Sequence, residues 1–301
     1  MIRRNFLQLS AAAGAGISLQ LLAPSCMIPA ESPYRKNIGL QLYTVRDQMA
    51  ADAAGTLKAI RDLGYYQVET SNTQLAKIKP LADDLGLVVK SSFVDGPIIT
   101  GRWDLRGVED PGITFESVVE EAHTHGISHI VFGYMMKGER TKLDDYRSVS
   151  DKLNAAGELC RQAGIQLCYH NHAFEFEPME GSTGFDILVE KFDKDLVKFE
   201  LDIFWSSLGG VEPVGLMEKL GSRLSLIHLK DKLAGTPVQY DESQVPKDAF
   251  KELGNGEVDI KGVLTAAEKY GVDYCMVEQD QSPDPINSIG VSLDFMKKAW
   301  V

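Results

Sequence analysis

Short apolar runs alternate with amphipathic stretches along most of this chain. Ile38 to Thr44, IGLQLYT, has the make-up of a buried strand; in the TLKAIRDLG that follows, Leu57, Ile60 and Leu63 recur at helical spacing before Gly64 stops the helix. The alternation continues, and it predicts further strands at Tyr66–Thr70, Leu87–Val94, 129–134 (HIVFGY), Ile165–Tyr169, Val197–Asp202, Leu224–Leu229 and Asp273–Gln279. Helices are predicted between them. They fall in LAKIKPLADDLG, where Pro80 sets a kink or an early turn, at Thr114–Gly126 with Thr114 as N-cap, at Leu143–Gly164, near Gly184–Phe192 and Val214–Leu220, after the cap Asp259, and at Asn287–Trp300. Two long connections interrupt the rhythm, Asp95–Gly112 and Asp231–Val258. Loops of that length inside a compact domain read as walls or lids.

Eight strands and eight helices in strict alternation between residues 37 and 301 predict a single (β/α)8 TIM barrel, an α/β fold whose parallel strands read as apolar runs. A doubly wound open sheet is the rival. It would carry a Gly-rich phosphate turn after the first strand, and IGLQLYTVRD has none.

Residues 1–26 break the pattern. Paired Arg3 and Arg4 precede Phe6 and Leu7, and the AAAGAGISLQLLA that follows is too short and too rich in Gly and Ala for a membrane span. The arrangement resembles a twin-arginine export signal, which implies a periplasmic or envelope location. Leu22 to Cys26 looks like a degenerate lipoprotein site from which Pro24 departs, so lipid anchoring at Cys26 and simple cleavage nearby both stand; that anchor is the expected route to a membrane. The net charge of −12 is dispersed and no Lys/Arg cluster could track a phosphate backbone, which argues against nucleic acid as a partner. Beyond Cys26 the cysteines number three, and Cys168 and Cys275 sit inside apolar runs. These two read as buried small hydrophobes rather than a disulfide or a nucleophile.

The candidate chemistry gathers where strands end. The fifth strand runs directly into His170, Asn171, His172, Glu175 and Glu177; KFELD closes on Asp202, LSLIHLKD on His228 with Lys230 and Asp231, and DYCMVEQD on Glu278. A single carboxylate or imidazole after a strand is ordinarily a solvated turn residue or a helix cap. Repetition at four successive strand ends points instead to one shared site at the rim of the barrel. Oxygen and imidazole donors of this kind suit one divalent ion, Mn²⁺, Co²⁺, Mg²⁺ or Zn²⁺. His170 and His172 alternate along a strand and so point the same way, and an imidazole titrating near ~6.5 both takes and gives a proton around neutrality. The alternative is that one of them only orients the other or a ligand.

HNHAFEFE, LDIFW, HLKD and VEQD, following the fifth to eighth strands, resemble the sugar isomerase/epimerase superfamily of xylose isomerase-like barrels, which also includes inosose dehydratases and endonuclease IV. The similarity spans the whole mature chain. It implies a divalent ion held by Glu, Asp, His and Glu from those strands, and Asp202, His228 and Glu278 match the last three. The fifth strand departs: His170 stands where the Glu is expected, so the fourth ligand is either His170 or a displaced Glu175, with Glu175 preferred. The resemblance further implies that a sugar carbonyl and its neighbouring hydroxyl meet the ion while an adjacent carbon loses a proton, with His170, His172 and Glu278 as the catalytic groups. Lys230, Glu69, Gln41 and Tyr43 are candidates for holding sugar oxygens, and Trp103 for stacking on a sugar ring. Each also has a plainer reading, as a surface lysine, as rim packing and caps, or as a loop anchor.

The expectation is therefore a metal-dependent isomerase or epimerase acting on an unphosphorylated sugar or keto-sugar, since the chain lacks a Gly-rich phosphate cradle and carries an export-like leader. The alternative is a lyase or hydrolase of 3-keto-glycosides, or an inosose-type dehydratase. A nuclease of the same fold would need a basic groove and more than the chain's six histidines. A non-catalytic sugar-binding protein remains a reading because the fifth strand lacks its plain Glu. Nothing in the pattern specifies an oligomeric state.

Overall fold

The computed structural model of the protein describes Tyr34 and residues 38–299. The leader and Cys26 lie outside the described residues. Eight parallel strands, β1 (Ile38–Gln41), β2 (Gln67–Ser71), β3 (Val88–Val94), β4 (His129–Phe132), β5 (Gln166–His170), β6 (Val197–Asp202), β7 (Leu224–Leu229) and β8 (Tyr274–Val277), pair in chain order. The ring closes through Ile38↔Cys275, Gly39↔Met276 and Leu40↔Val277. An open doubly wound sheet has no such pair, so the barrel reading stands.

Helices α1 (Ala53–Leu63), α2 (Asn72–Asp84), α3 (Phe115–Thr124), α4 (Leu143–Gln162), α5 (Gly184–Lys191), α6 (Pro213–Leu220), α7 (Ile260–Tyr270) and α8 (Pro285–Ala299) return the chain between strands and after the last. Their starts are fixed by side chains that accept otherwise unpaired N–H groups: Asp52 from Gly55, Thr114 from Ser117 and Asp259 from Gly262. Helix α2 continues through Pro80 to Asp84.

Each strand contributes to two cores. Outward side chains such as Leu40, Val68, Ile130 and Leu201 pack with Leu57, Ile60 and Leu153 of the helices. Inward ones meet as a small apolar plug of Val131, Cys168 and Leu226, with Phe93 and Tyr274 against it. Cys168 and Cys275 are free and buried, as their apolar runs imply; Cys160 is free and buried too, and burial pushes its thiol up to about 12.

Where the structure departs from the pattern, local chemistry explains it. The first strand stops at Gln41 because its side chain accepts the N–H of Tyr43 and opens a 3-10 turn, Leu42–Val45. The connection after β3 is folded into two short helices, Gly96–Thr100 and Trp103–Arg106, ended by Gly101 and Gly107 at φ 72 and 68, a left-handed conformation that favours glycine. In the connection after β7, Asp231 and Lys232 pair with Lys251 and Phe250, while the Asp231 carboxylate accepts N–H groups from Lys232, Gly254, Gly256 and Val258. These long segments are built walls.

Candidate active site

Side chains two apart on a strand share a face, and this rule assembles the site. From β5 to β8 it delivers His170 with His172, Glu200 with Asp202, His228 with Lys230, and Glu278 with Asp280 to the inside of the rim. Ladder irregularities fall at Phe199/Glu200 and Val68/Glu69, where two buried carboxylates enter the barrel.

The site has two levels joined by His228. On the upper level, His228 Nδ1 lies 2.7 Å from Glu278 Oε2 and 4.0 Å from Asp202 Oδ2. On the lower level, His228 Nε2 lies 2.6 Å from Glu69 Oε2 and 3.3 Å from Glu200 Oε2. Gln41 Nε2 donates to the same Glu69 oxygen at 2.8 Å. His170 Nδ1 is 3.0 Å from Glu200 Oε2, which presents its Nε2 toward Asp202 Oδ2 at 3.8 Å. Lys230 Nζ reaches Asp202 Oδ2 at 2.9 Å as an ion pair rather than a well-directed hydrogen bond, and meets Glu278 Oε2 at 2.7 Å and Asp280 Oδ2 at 2.8 Å.

Burial and charge set the protonation. Desolvation opposes a charged His228, but Glu200, Glu278 and Glu69 outweigh it and hold the imidazole well above its ordinary range. Burial likewise opposes an ionised Glu278, and Lys230 and His228 overcome it to bring the carboxyl down to about 2. Burial with Glu69 alongside lifts Glu200 to about 8. Desolvation, with Lys230 and Arg140 adding to it, takes His172 down to about 3, and desolvation takes His170 well below its usual value. Both of these imidazoles are therefore neutral at neutral pH.

Above this floor opens a cleft of about 790 Å³, lined by Gln41, Tyr43, Phe93, His170, His172, Trp205, Lys230, Glu278 and Asp280 among others. Glu242 of the second long connection is tied to Tyr134 and to Arg140 Nη2, the latter at 2.6 Å, and so fixes one wall.

The structure brings Asp202, His228, Glu278, His170, His172 and Lys230 together as the strand ends suggest. Gln41 and the half-exposed Tyr43 line the cleft. Glu69 does not: it is fully buried under His228 and supports it. Glu175 is not brought to the ion-binding group, because the 3-10 turn Phe174–Phe176 carries it behind the rim. There its two oxygens accept from Tyr169 Oη at 2.7 Å and from the His172 N–H at 2.8 Å, and burial raises its carboxyl to about 7. At the end of β5 it is His170 that lies beside Glu200 and Asp202. Trp103 is not among the residues lining the cleft; the aromatic floor belongs to Trp205 and Phe250. Glu200, Asp280 and Trp205 escaped the reading of strand ends. Two of them had a signal, since Glu200 lies two before Asp202 and Asp280 two after Glu278.

The donors fit a divalent ion. Asp202, His228 and Glu278 form one group whose ligand atoms lie within 4.8 Å of one another, and His170, Glu200 and His228 form another. Among the described residues, Glu69 Oε1 and Glu200 Oε1 are buried without a hydrogen-bond partner, an arrangement that costs free energy unless a cation compensates it.

The xylose isomerase-like TIM-barrel model matches residues 57–299. The chain belongs to this family. Within the xylose isomerase-like barrels it is 24% identical over 271 residues to an inosose dehydratase of Geobacillus kaustophilus, a match covering 81% of this chain and 83% of that enzyme. The fold is shared with a sugar phosphate isomerase/epimerase from Parabacteroides distasonis (TM-score 0.71, 22% identity, 87% of this chain and 98% of that one). It is also shared with an IolI protein with a bound zinc atom (TM-score 0.65, 13% identity, 88% and 98%).

Proposed function

We propose that this protein is a divalent-metal-dependent isomerase or epimerase that moves a proton next to the carbonyl of an unphosphorylated sugar or keto-sugar. The observation that carries the reading is the convergence of Asp202, His228 and Glu278 at the floor of a cleft large enough for a sugar. His170 completes the ligand set, held by Glu200 in the manner of a carboxylate–imidazole pair. The zinc atom in the IolI structure of the same fold is in keeping with it.

Bound there, the ion supplies Lewis acidity to a carbonyl oxygen. The chain does the rest. Among the described residues, His172 Nδ1 has no hydrogen-bond partner, and the neutral ring stacks on Phe174 and lines the cleft. Lining the cleft beside the ligand group, it is the base of this reading, which takes the proton and returns it. The Lys230 ammonium faces oxygens on which negative charge develops, while Trp205 and Phe250 exclude water from the floor.

The charges of the wall argue against a phosphorylated substrate. Asp95, Glu242, Glu278 and Asp280 line the cleft against three cations, and two of these, Lys230 and Arg106, are already paired with carboxylates. Together with the twin-arginine-like leader, this supports the reading of an unphosphorylated substrate met outside the cytoplasm.

Elimination is the second reading. The inosose dehydratase similarity extends over most of the chain, and the same proton abstraction expels a β-substituent when one is present. Incubation with a panel of keto-sugars and 3-keto-glycosides in D₂O, with and without chelator, separates the two. Chelator-sensitive deuterium entry without loss of a group supports the first reading. Release of water or an aglycone supports the second, and the absence of exchange with every substrate removes both.

A further inference from the structure

Lys230 follows β7 directly and is 2% exposed. Its ammonium touches three carboxylates: Asp202 Oδ2, Glu278 Oε2 and Asp280 Oδ2. The first two oxygens are the ones that face His228 Nδ1. An ion held by Asp202 Oδ2, His228 Nδ1 and Glu278 Oε2, the oxygens nearest that imidazole nitrogen, would share both oxygens with an ammonium. A carboxylate oxygen has lone pairs for two partners, but a singly and a doubly charged cation on the same oxygens in a site poor in water repel each other strongly.

The third partner offers the ammonium a place to go. Asp280 lies outside the ligand group, lines the cleft, and has the most open side chain of the three carboxylates, at 17%. The Trp205 ring, whose centroid is 5.7 Å from the ammonium, gives the side chain an apolar surface with a negative face along which to move.

Resting on the metal reading above, we propose that Lys230 is the resident counter-ion of this site. In the metal-free protein its ammonium keeps Asp202 and Glu278 in register. When a divalent ion occupies the ligand group, the ammonium withdraws onto Asp280 and turns toward the cleft. The charge that would hold a substrate oxygen is thus presented once the ligand group is filled, so metal precedes substrate. Lys230 acts here as a positioning residue, and a merely structural ion pair would predict the opposite sign for its removal.

The test is a Co²⁺ titration of the full chain followed by visible absorption, with the melting temperature of each metal-free protein alongside. Lys230→Met should bind Co²⁺ about tenfold more tightly than wild type or better. Its metal-free form should melt lower, and Co²⁺ should restore it. Lys230→Arg, which keeps the charge, should return the affinity toward that of wild type. Asp280→Asn should bind about tenfold more weakly, because the withdrawing ammonium has lost its partner. Equal or weaker Co²⁺ binding by Lys230→Met overturns the proposal. If that variant does not fold, unchanged or tighter binding by Asp280→Asn overturns it. No saturable Co²⁺ binding by wild type, or binding that survives Asp202→Asn, removes the metal reading itself and this inference with it.

Discussion

Both ends of the barrel bury polar side chains, but on different terms. At the N-terminal end, His129 Nδ1 meets Ser128 Oγ at 2.9 Å, His129 Nε2 meets Ser225 Oγ at 3.1 Å, and Ser225 donates to Asp273 Oδ2 at 2.8 Å. Serine, histidine and aspartate in a row have the look of a nucleophilic relay. Yet none of them lines the cleft, each has its partner, and the half-exposed Asp273 keeps contact with solvent. At the C-terminal end, Glu69, Glu200, Asp202 and Glu278 crowd around His228, His170 and Lys230, and among the described residues oxygens of Glu69 and Glu200 go without a hydrogen bond. A satisfied polar cluster is inexpensive to bury and ties strands together. Crowded charges with unfilled lone pairs weaken the fold, and they persist where a ligand completes them. The first arrangement closes the base of the barrel, and the second marks the end that does chemistry.

This contrast can be broken by experiment, most sharply at His228. His228→Ala should retain no Co²⁺ after dialysis, a loss beyond the roughly 10–100-fold that outer-shell changes cause, with the circular dichroism of the barrel kept. Full occupancy by elemental analysis would strip the upper end of its distinction.

Glu175 offers a test by pH. Its folded-state pKa lies above the unfolded value of 4.5, at about 7, so the stability it adds is fully present below 4.5 and is lost as pH rises to about 7. A difference of about 2.5 units corresponds to a swing of roughly 3 kcal/mol. Glu175→Gln has no such proton to lose. Urea unfolding at pH 4.5 and 7.5 should show wild type losing that much relative to the variant, and a difference independent of pH would contradict the assignment.

Glu200→Leu should separate function from stability. Losing the carboxylate that orients His170 should weaken Co²⁺ binding by about 10–100-fold. The melting temperature of the metal-free protein should change less than the metal affinity does, because the lost His170 hydrogen bond is partly offset by removing one of the crowded buried acids. A variant that melts lower and binds Co²⁺ normally would place Glu200 with the structural cluster at the other end. Ser225→Ala should produce the smallest effect, about 1 kcal/mol in unfolding free energy from its lost hydrogen bonds, with Co²⁺ affinity unchanged. Weakened metal binding there would show that the two ends are coupled.

The order of strands and helices was legible along the chain because apolar period and capping are local properties. Val197–Asp202 and Leu224–Leu229 begin and end where their apolar runs do. Asp202, His228 and Glu278 were legible for the same reason, since a functional group at a strand end stands out against an apolar run. Glu200 and Asp280 obey the same two-residue period and were within reach of it. The place of Glu175 was not. A single turn after β5 decides whether that carboxylate faces the rim or backs His172, and a turn's direction depends on what it packs against.

Glu69 shows the limit most clearly: it comes to rest 2.6 Å from a histidine 159 residues away. The sequence by itself determined that eight strands would form and which of their ends carried ligand-type groups. Only closure of the ring decided which of those groups would meet and which cation would stand among them, because distances across a barrel are set by the number, stagger and tilt of its strands and not by any local run of residues.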